Sequence, residues 1–214
     1  MIIIINTILF DLDGTLLSMD TEVFIKRYFK ELAIKLHGYL TPEEVSTNLW
    51  NSTKYMMANL EEEKTNEEAF YEDFYENIDH KQEVLNPILQ EFYEKDFNNV
   101  RDVSQENKDM IEAVKGLKEK GYNLVVATNP LFPRAAILNR IDWAGLNHED
   151  FIFITSFEHM HFTKPNLNYY REILENIDKE PKECIMVGND VGEDMVAKEL
   201  GIKTYLIEDF IIGD

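Results

Sequence analysis

From about residue 102 onward, short β-branched runs alternate with amphipathic segments: YNLVVATN, PRAAILNRIDWAGL, FIFITS, NLNYYREILENI, CIMVGND, GEDMVAKELG and IKTYLIE. Apolar runs of strand length separated by stretches of helix length form the pattern of βαβ units, and so of a parallel sheet. The runs carry no polar alternation, so both faces of that sheet must be covered, as flanking helices would cover them. Met110, Ile111, Val114 and Leu117 fall on one helix face, and Gly121 is placed to end that helix after Lys118-Glu119-Lys120. Gly201 does the same after AKEL.

The N-terminal run IIIINTILF is expected to join the same sheet. Met1 to Ile5 has the apolarity of a secretory leader, but no basic segment precedes it and a charged pair soon follows, so a buried strand is expected instead. Residues 20 to about 98 read differently. Thr41-Pro42-Glu43-Glu44 and Thr65-Asn66-Glu67-Glu68 both carry the Thr-x-x-Glu capping box, the first with proline at the first helical position. Phe70, Phe74 and Ile78 recur at helical spacing, as do Tyr71 and Tyr75, and are expected to form that region's own core. The expected architecture is an α/β, doubly wound parallel-sheet core made of residues 1–17 and 100–214, interrupted by an all-helical module at 18–99.

Composition narrows the partners. No apolar run reaches the roughly 18 residues needed to cross a bilayer, so no membrane helix is expected. Forty-one acidic against 21 basic residues give a formal charge of -20, which repels nucleic acid and anionic lipid. Cys184 is the single cysteine, which excludes an internal disulfide framework and a cysteine metal cluster and suits a cytoplasmic setting. His159 and His161 form an H-x-H that reads as loop histidines, and Glu61-Glu62-Glu63 as a solvated helix face. Nothing in the sequence specifies an oligomeric state.

In an open parallel sheet, ligands bind at the carboxyl ends of the strands. Here the first strand delivers Asp11-Leu12-Asp13-Gly14-Thr15, and the second Thr128-Asn129-Pro130. Thr163-Lys164-Pro165 follows the third, and the fourth ends in Gly188-Asn189-Asp190 with Asp194 close behind. Carboxylates converging on one edge repel one another unless a cation sits among them, and a hard, oxygen-ligated ion such as Mg²⁺ meets that need. Such an ion, with a lysine and backbone N–H groups, would clamp a phosphoryl group while an aspartate attacks phosphorus. Gly14 lets the chain turn tightly and bring its amide to an oxyanion.

FDLDGTL at 10–16 resembles motif I of the haloacid dehalogenase superfamily, DxDGT. Thr128-Asn129 resembles its motif II, Lys164-Pro165 its motif III and VGNDVGED its motif IV, in the family's order and over all of the chain but the helical insert. The resemblance implies that Asp11 is the nucleophile, forming an aspartyl-phosphate while also binding Mg²⁺. It implies that Asp13 is the general acid and base and ligates the metal through its backbone carbonyl. Thr128 and Asn129 would hold the phosphoryl oxygens, and Lys164 would balance their charge. Motif IV departs from the usual pattern, because Asn189 follows the glycine and the aspartate comes one place later. Either Asn189 ligates through its amide oxygen or Asp190 takes the metal, and an amide ligand would weaken Mg²⁺ binding. Asp194 would orient Lys164 or a metal-bound water.

The helical insert resembles the family's type C1 cap, which closes over the site and chooses the substrate. Asp13 counts against the dehalogenase branch, which lacks a carboxylate there. The function implied is Mg²⁺-dependent hydrolysis of a small phosphate monoester. A sugar-phosphate mutase using the same motifs, and a binding or regulatory module without turnover, are the alternatives.

Overall fold

The computed structural model describes residues 5–79 and 82–213. Its strands, in chain order, are β1 (Thr7–Phe10), β2 (Leu17–Met19), β3 (Ser104–Glu106), β4 (Asn123–Val126), β5 (Phe153–Ile154), β6 (Cys184–Gly188) and β7 (Lys203–Leu206). Five of them form a sheet in the order β5-β4-β1-β6-β7, every pairing parallel. The N-terminal strand is therefore the middle one, with Leu9 opposite Val125 on one side and Met186 on the other. The part of the expected strand at Met1–Ile4 lies outside the described residues.

Side chains along these strands alternate between two apolar clusters. Ile8, Phe10, Leu124 and Val126 join the cluster shared with the N-terminal helices, while Leu9, Val125 and Met186 join one with Tyr169, Tyr170 and Ile173. The central strands β1, β4 and β6 are thus covered on both faces, which is why they show no polar alternation, while β7 at the edge leaves Lys203 and Tyr205 exposed.

Between β2 and β3 lie α1 (Thr21–Lys35), α2 (Pro42–Ala58), α3 (Asn66–Glu76) and α4 (Gln82–Glu94). Both expected capping boxes are formed, with Thr41 accepting from Glu44 N–H and Thr65 from Glu68 N–H, and each glutamate returning a bond to the cap backbone. Asp20 caps α1 by accepting from Val23 N–H at 3.0 Å. The first amides of α3 are used differently: Asn66 N–H donates to Met160 O at 2.8 Å and Glu67 N–H to Phe157 O at 2.9 Å. Donors that a helix start leaves unpaired thereby fasten α3 to the loop beyond β5.

The chain enters and leaves this helical stretch through an antiparallel ribbon in which Leu17 pairs with Glu106 and Met19 with Ser104. Neither three-residue strand is long enough to show a period, and Ser104-Gln105-Glu106 is wholly polar, so sequence patterning gives no sign of them. The remaining helices are α5 (Lys108–Glu119), α6 (Arg134–Trp143) and α7 (Leu167–Asn176). Gly121 follows α5 with φ 82°, as expected of a residue that ends a helix. The segment GEDMVAKELG forms only a 3-10 turn at Met195–Leu200, closed by Gly201 at φ 91°. Its front half is committed elsewhere, because Asp190 Oδ1 accepts from the Gly192 and Glu193 amides and Asp194 faces the site.

Candidate active site

The sheet places Asp11 one residue beyond β1, where its amide still donates to Val187 O at 2.8 Å. Its carboxylate sits among the ends of three strands. Lys164 Nζ donates to Asp11 Oδ1 at 2.8 Å and to Asp194 Oδ1 at 2.6 Å, with the lysine and Asp194 side chains only 1% exposed. Burial alone would lower the lysine, but the two carboxylates outweigh it and hold the ammonium charged well above the usual lysine range. Burial pushes the Asp11 carboxyl up to about 7 against the opposing pull of Lys164. The fold thus brings together Asp11, Lys164 and Asp194, with Lys164 lying 153 positions from Asp11 and 30 from Asp194 in the chain.

Gly14 turns the loop after β1 at φ 82°, and a side chain there would collide with the Asn189 amide. Its N–H is used by the turn, donating to Leu17 O at 2.8 Å. Gly188 is equally constrained, because a Cβ would overlap the Asp194 carboxylate. Thr128 is buried at the end of β4, where its carbonyl accepts from the Thr155 hydroxyl at 2.7 Å and the Tyr169 hydroxyl at 2.8 Å. Both ends of the Asn129 amide are engaged, Oδ1 by Lys164 N–H at 3.2 Å and Nδ2 by Glu193 Oε2 at 2.9 Å. Asn129 therefore ties the lysine loop to the segment after β6.

Asn189 lies against the first loop, accepting from the Thr15 hydroxyl at 3.1 Å while its Nδ2 donates to Phe210 O at 2.6 Å. Asp190 uses Oδ1 for two backbone amides, which occupies two of the roughly four lone-pair positions of a carboxylate. Both residues border a cavity of about 240 Å³ that also meets Asp11, Asp13, Thr128 and Glu193, with Phe24 and Ile25 of α1 on its wall.

Arg140 of α6 is an addition that the motifs do not contain. Its guanidinium pairs with Asp13 Oδ2 and is fully buried, stacked 4.6 Å from the Phe132 ring centre and 5.5 Å from that of Phe24. Burial raises the Asp13 carboxyl, with Arg140 and then Lys164 opposing. Among the described residues, Asp13 Oδ1 and one terminal nitrogen of Arg140 are buried without a partner. The sequence carries a signal for this arginine: Ala136, Ile137, Arg140, Ile141 and Ala144 share a helix face, and a cation on an apolar face needs a carboxylate. Glu193 is a second residue the motif reading does not single out; burial raises its carboxyl beside Asn129.

Five carboxylates, Asp11, Asp13, Asp190, Glu193 and Asp194, thus surround two cations, Lys164 and Arg140. The excess of carboxylates over cations, and the Asp190 lone pairs that its turn leaves over, fit a hard cation. Among the described residues no three His, Cys, Asp or Glu side chains are arranged as a metal cluster. An ion here would rest on one or two carboxylates with carbonyl, amide and water oxygens, which is the way Mg²⁺ is usually held. His159 and His161 lie apart from this, bonded to Ser156 at 3.0 Å and Glu172 at 2.6 Å.

The chain matches the family model described as haloacid dehalogenase-like hydrolase over residues 8–207. The protein belongs to the haloacid dehalogenase-like hydrolase family. It is similar to the pyrophosphatase PpaX of Bacillus cereus, 25% identical over 204 residues that cover 95% of this chain and 83% of that protein. A family enzyme of Bacteroides thetaiotaomicron, solved in complex with magnesium and inorganic phosphate, superposes with TM-score 0.59 at 18% identity, covering 96% of this chain and 95% of that one. The L-2-haloacid dehalogenase of Xanthobacter autotrophicus superposes nearly as well, with TM-score 0.56 at 15% identity over 95% of this chain and 78% of that one. The fold alone therefore does not choose among the family's reactions. Among the described residues, no helix is long and apolar enough to cross a membrane.

Proposed function

We propose that the protein hydrolyses a small phosphate monoester with Mg²⁺, through an aspartyl-phosphate at Asp11. The observation that carries this reading is the Lys164 ammonium bridging Asp11 and Asp194 beside a second carboxylate, Asp13, whose ionised form burial disfavours. An ionised oxygen of Asp11 attacks phosphorus while Asp13 gives its proton to the departing oxygen, and the bond between phosphorus and that oxygen breaks. Asp13, now a carboxylate, takes a proton from water, whose oxygen displaces Asp11 and releases phosphate. A proton-exchanging group needs a pKa nearer neutrality than an ordinary aspartate has, which fits the direction of the Asp13 shift.

Asp11, the Asp13 carbonyl and Asp190 would hold the ion, Asp190 through the lone pairs its turn leaves over. Asn189, with its amide bonded at both ends, packs the loop behind them. Bound Mg²⁺ would draw Asp11 to its ionised form and neutralise phosphoryl oxygens. Lys164 keeps the charge of Asp11 and the phosphoryl group in balance. Thr128 would donate its hydroxyl to the phosphoryl group, while Asn129, committed to Lys164 and Glu193, offers its backbone instead.

Helices α1 to α4 act as the cap, within the expected segment 18–99, and α1 supplies Phe24 and Ile25 to the cavity wall. The bonds from Asn66 and Glu67 to the loop beyond β5 must break or bend for that cap to open fully.

The test is hydrolysis of p-nitrophenyl phosphate. Turnover that requires Mg²⁺, stops with EDTA and is abolished in Asp11→Asn is expected. Retained activity after either change would sink the mechanism, and Mg²⁺ binding without turnover on a broad ester panel would mark a non-catalytic module.

A further inference from the structure

Beside the carboxylate-lined cavity lies a second one, of about 70 Å³, which shares Ile25, Leu131 and Phe132 with it. Its other walls come from both sides of the helix–sheet boundary, chiefly Leu49 and Trp50 of α2, Phe70 and Tyr71 of α3, and Phe157 from the loop after β5. Among the described residues, no charged side chain borders it. Phe70 and Tyr71, expected to serve only the helical module's own core, thus also face this space.

The charged side chains of the first cavity are all acidic. Among the described residues, no lysine or arginine lines either cavity. Lys26 pairs with Glu22, Arg27 with Glu31 and Asp102, and Lys64 with Glu61 and Glu72, while Lys54 lies over the Trp50 ring at 5.3 Å. Lys30 borders neither cavity and stands exposed. Arg140 and Lys164, the cations near the reacting carboxylates, are already committed to them. Away from the ion at Asp11, a second anionic group on the substrate would meet acidic side chains and apolar walls, a placement that burial without a partner disfavours.

We propose that the leaving group of the substrate is neutral and apolar, and that it seats in this second cavity while the phosphoryl group lies at Asp11. The assignment rests on the phosphatase reading above and names its substrate class. At about 70 Å³ the space is roughly half of the about 150 Å³ of a dry cavity that binds benzene, so it takes a short alkyl chain or the inner part of a single ring whose remainder lies toward the first cavity. Pyrophosphate, the substrate in the name of the Bacillus relative, and carboxylate-bearing phosphate esters are the wrong chemistry for it.

Four substrates at saturating Mg²⁺ test this: benzyl phosphate, methyl phosphate, phosphoglycolate and inorganic pyrophosphate. Benzyl and methyl alcohols have similar acidity, so the ratio of kcat/KM for their esters reads the apolar contact rather than leaving-group chemistry. Benzyl phosphate is expected to exceed methyl phosphate by about 10- to 100-fold, the worth of burying one ring, and to exceed both anionic substrates. Trp50→Ala, at a half-exposed position where folding tolerates change, should cut the benzyl-to-methyl ratio, with benzyl phosphate losing far more than methyl phosphate. Thr53→Lys should lower benzyl phosphate and raise phosphoglycolate. Pyrophosphate or phosphoglycolate turned over as well as benzyl phosphate, or a benzyl-to-methyl ratio near one, would overturn the assignment while leaving the phosphatase intact. No turnover of any of the four while p-nitrophenyl phosphate is hydrolysed would overturn this assignment alone, and no turnover of that ester either would remove the phosphatase reading with it.

Discussion

The guanidinium of Arg140 is paired with the carboxylate of Asp13 across the boundary between α6 and the loop after β1, and Phe24 and Phe132 flank it. The pair fixes where Asp13 can hold a proton. Removing the arginine should therefore matter most where the leaving group needs that proton. In Arg140→Gln we expect kcat/KM for an alkyl phosphate to fall about 100-fold or more, and that for p-nitrophenyl phosphate by much less. Since kcat/KM reports steps up to release of the first product, the later use of Asp13 toward water does not blur the comparison. Arg140→Lys should recover part of the loss. Equal losses on both esters would show a merely structural arginine.

Lys164 is buried between two carboxylates, so its removal leaves Asp11 and Asp194 facing each other without a cation. Lys164→Met is expected to destabilise the fold by about 3 to 5 kcal/mol, as breaking a buried pair does. Denaturant unfolding at neutral pH without metal measures it. The loss should shrink in the double variant Lys164→Met with Asp194→Asn, which removes one of the stranded charges.

Stability of the metal-free protein should depend on pH through Asp11. Its carboxyl titrates at about 7 when folded against 3.8 for an ordinary aspartate, so between these values the folded chain keeps a proton the unfolded chain has lost. Stability from this group is complete below the lower value and declines as pH rises toward the upper one. Wild type should thus lose stability relative to Asp11→Asn over that range. Excess Mg²⁺, which favours the ionised form, should flatten the slope. Parallel Tm-against-pH curves for the two metal-free proteins would contradict the shift.

Gly188→Ala offers a way to disturb the site from behind. A methyl group there would collide with the Asp194 carboxylate, which also accepts from Asp190 N–H at 3.0 Å. Both the hold on Lys164 and the placement of Asp190 would shift together. A rise in the Mg²⁺ concentration needed for half-maximal activity, with a lower Tm, is expected; an unchanged Mg²⁺ response would separate Asp190 from the ion.

Much of this arrangement could be anticipated because it follows from local chemistry. Apolar runs buried on both faces mark the strands, Thr41 and Thr65 carry their own capping partners, and Asp11, Lys164 and Asp194 lie where a parallel sheet delivers its strand ends. What stayed hidden depends on tertiary neighbours. The β2–β3 ribbon is too short to have a period, and the two bonds of the Asn129 amide, to Glu193 and the Lys164 backbone, come from segments far along the chain. The segment after Asp190 has a helical pattern, yet side-chain bonds to its own amides hold its first half out of a helix. Arg140 gave a sign as a cation among apolar neighbours, but only the fold shows that Asp13 is its partner.

The central claim is a covalent phosphoenzyme at Asp11. Mixing the Mg²⁺-loaded protein with excess substrate, quenching in acid during turnover and measuring the intact mass and the modified peptide tests it directly. A mass gain of one phosphoryl group on the peptide carrying Asp11, absent in Asp11→Asn, is expected. Turnover with no such adduct at any quench time, or an adduct on another residue, would contradict it.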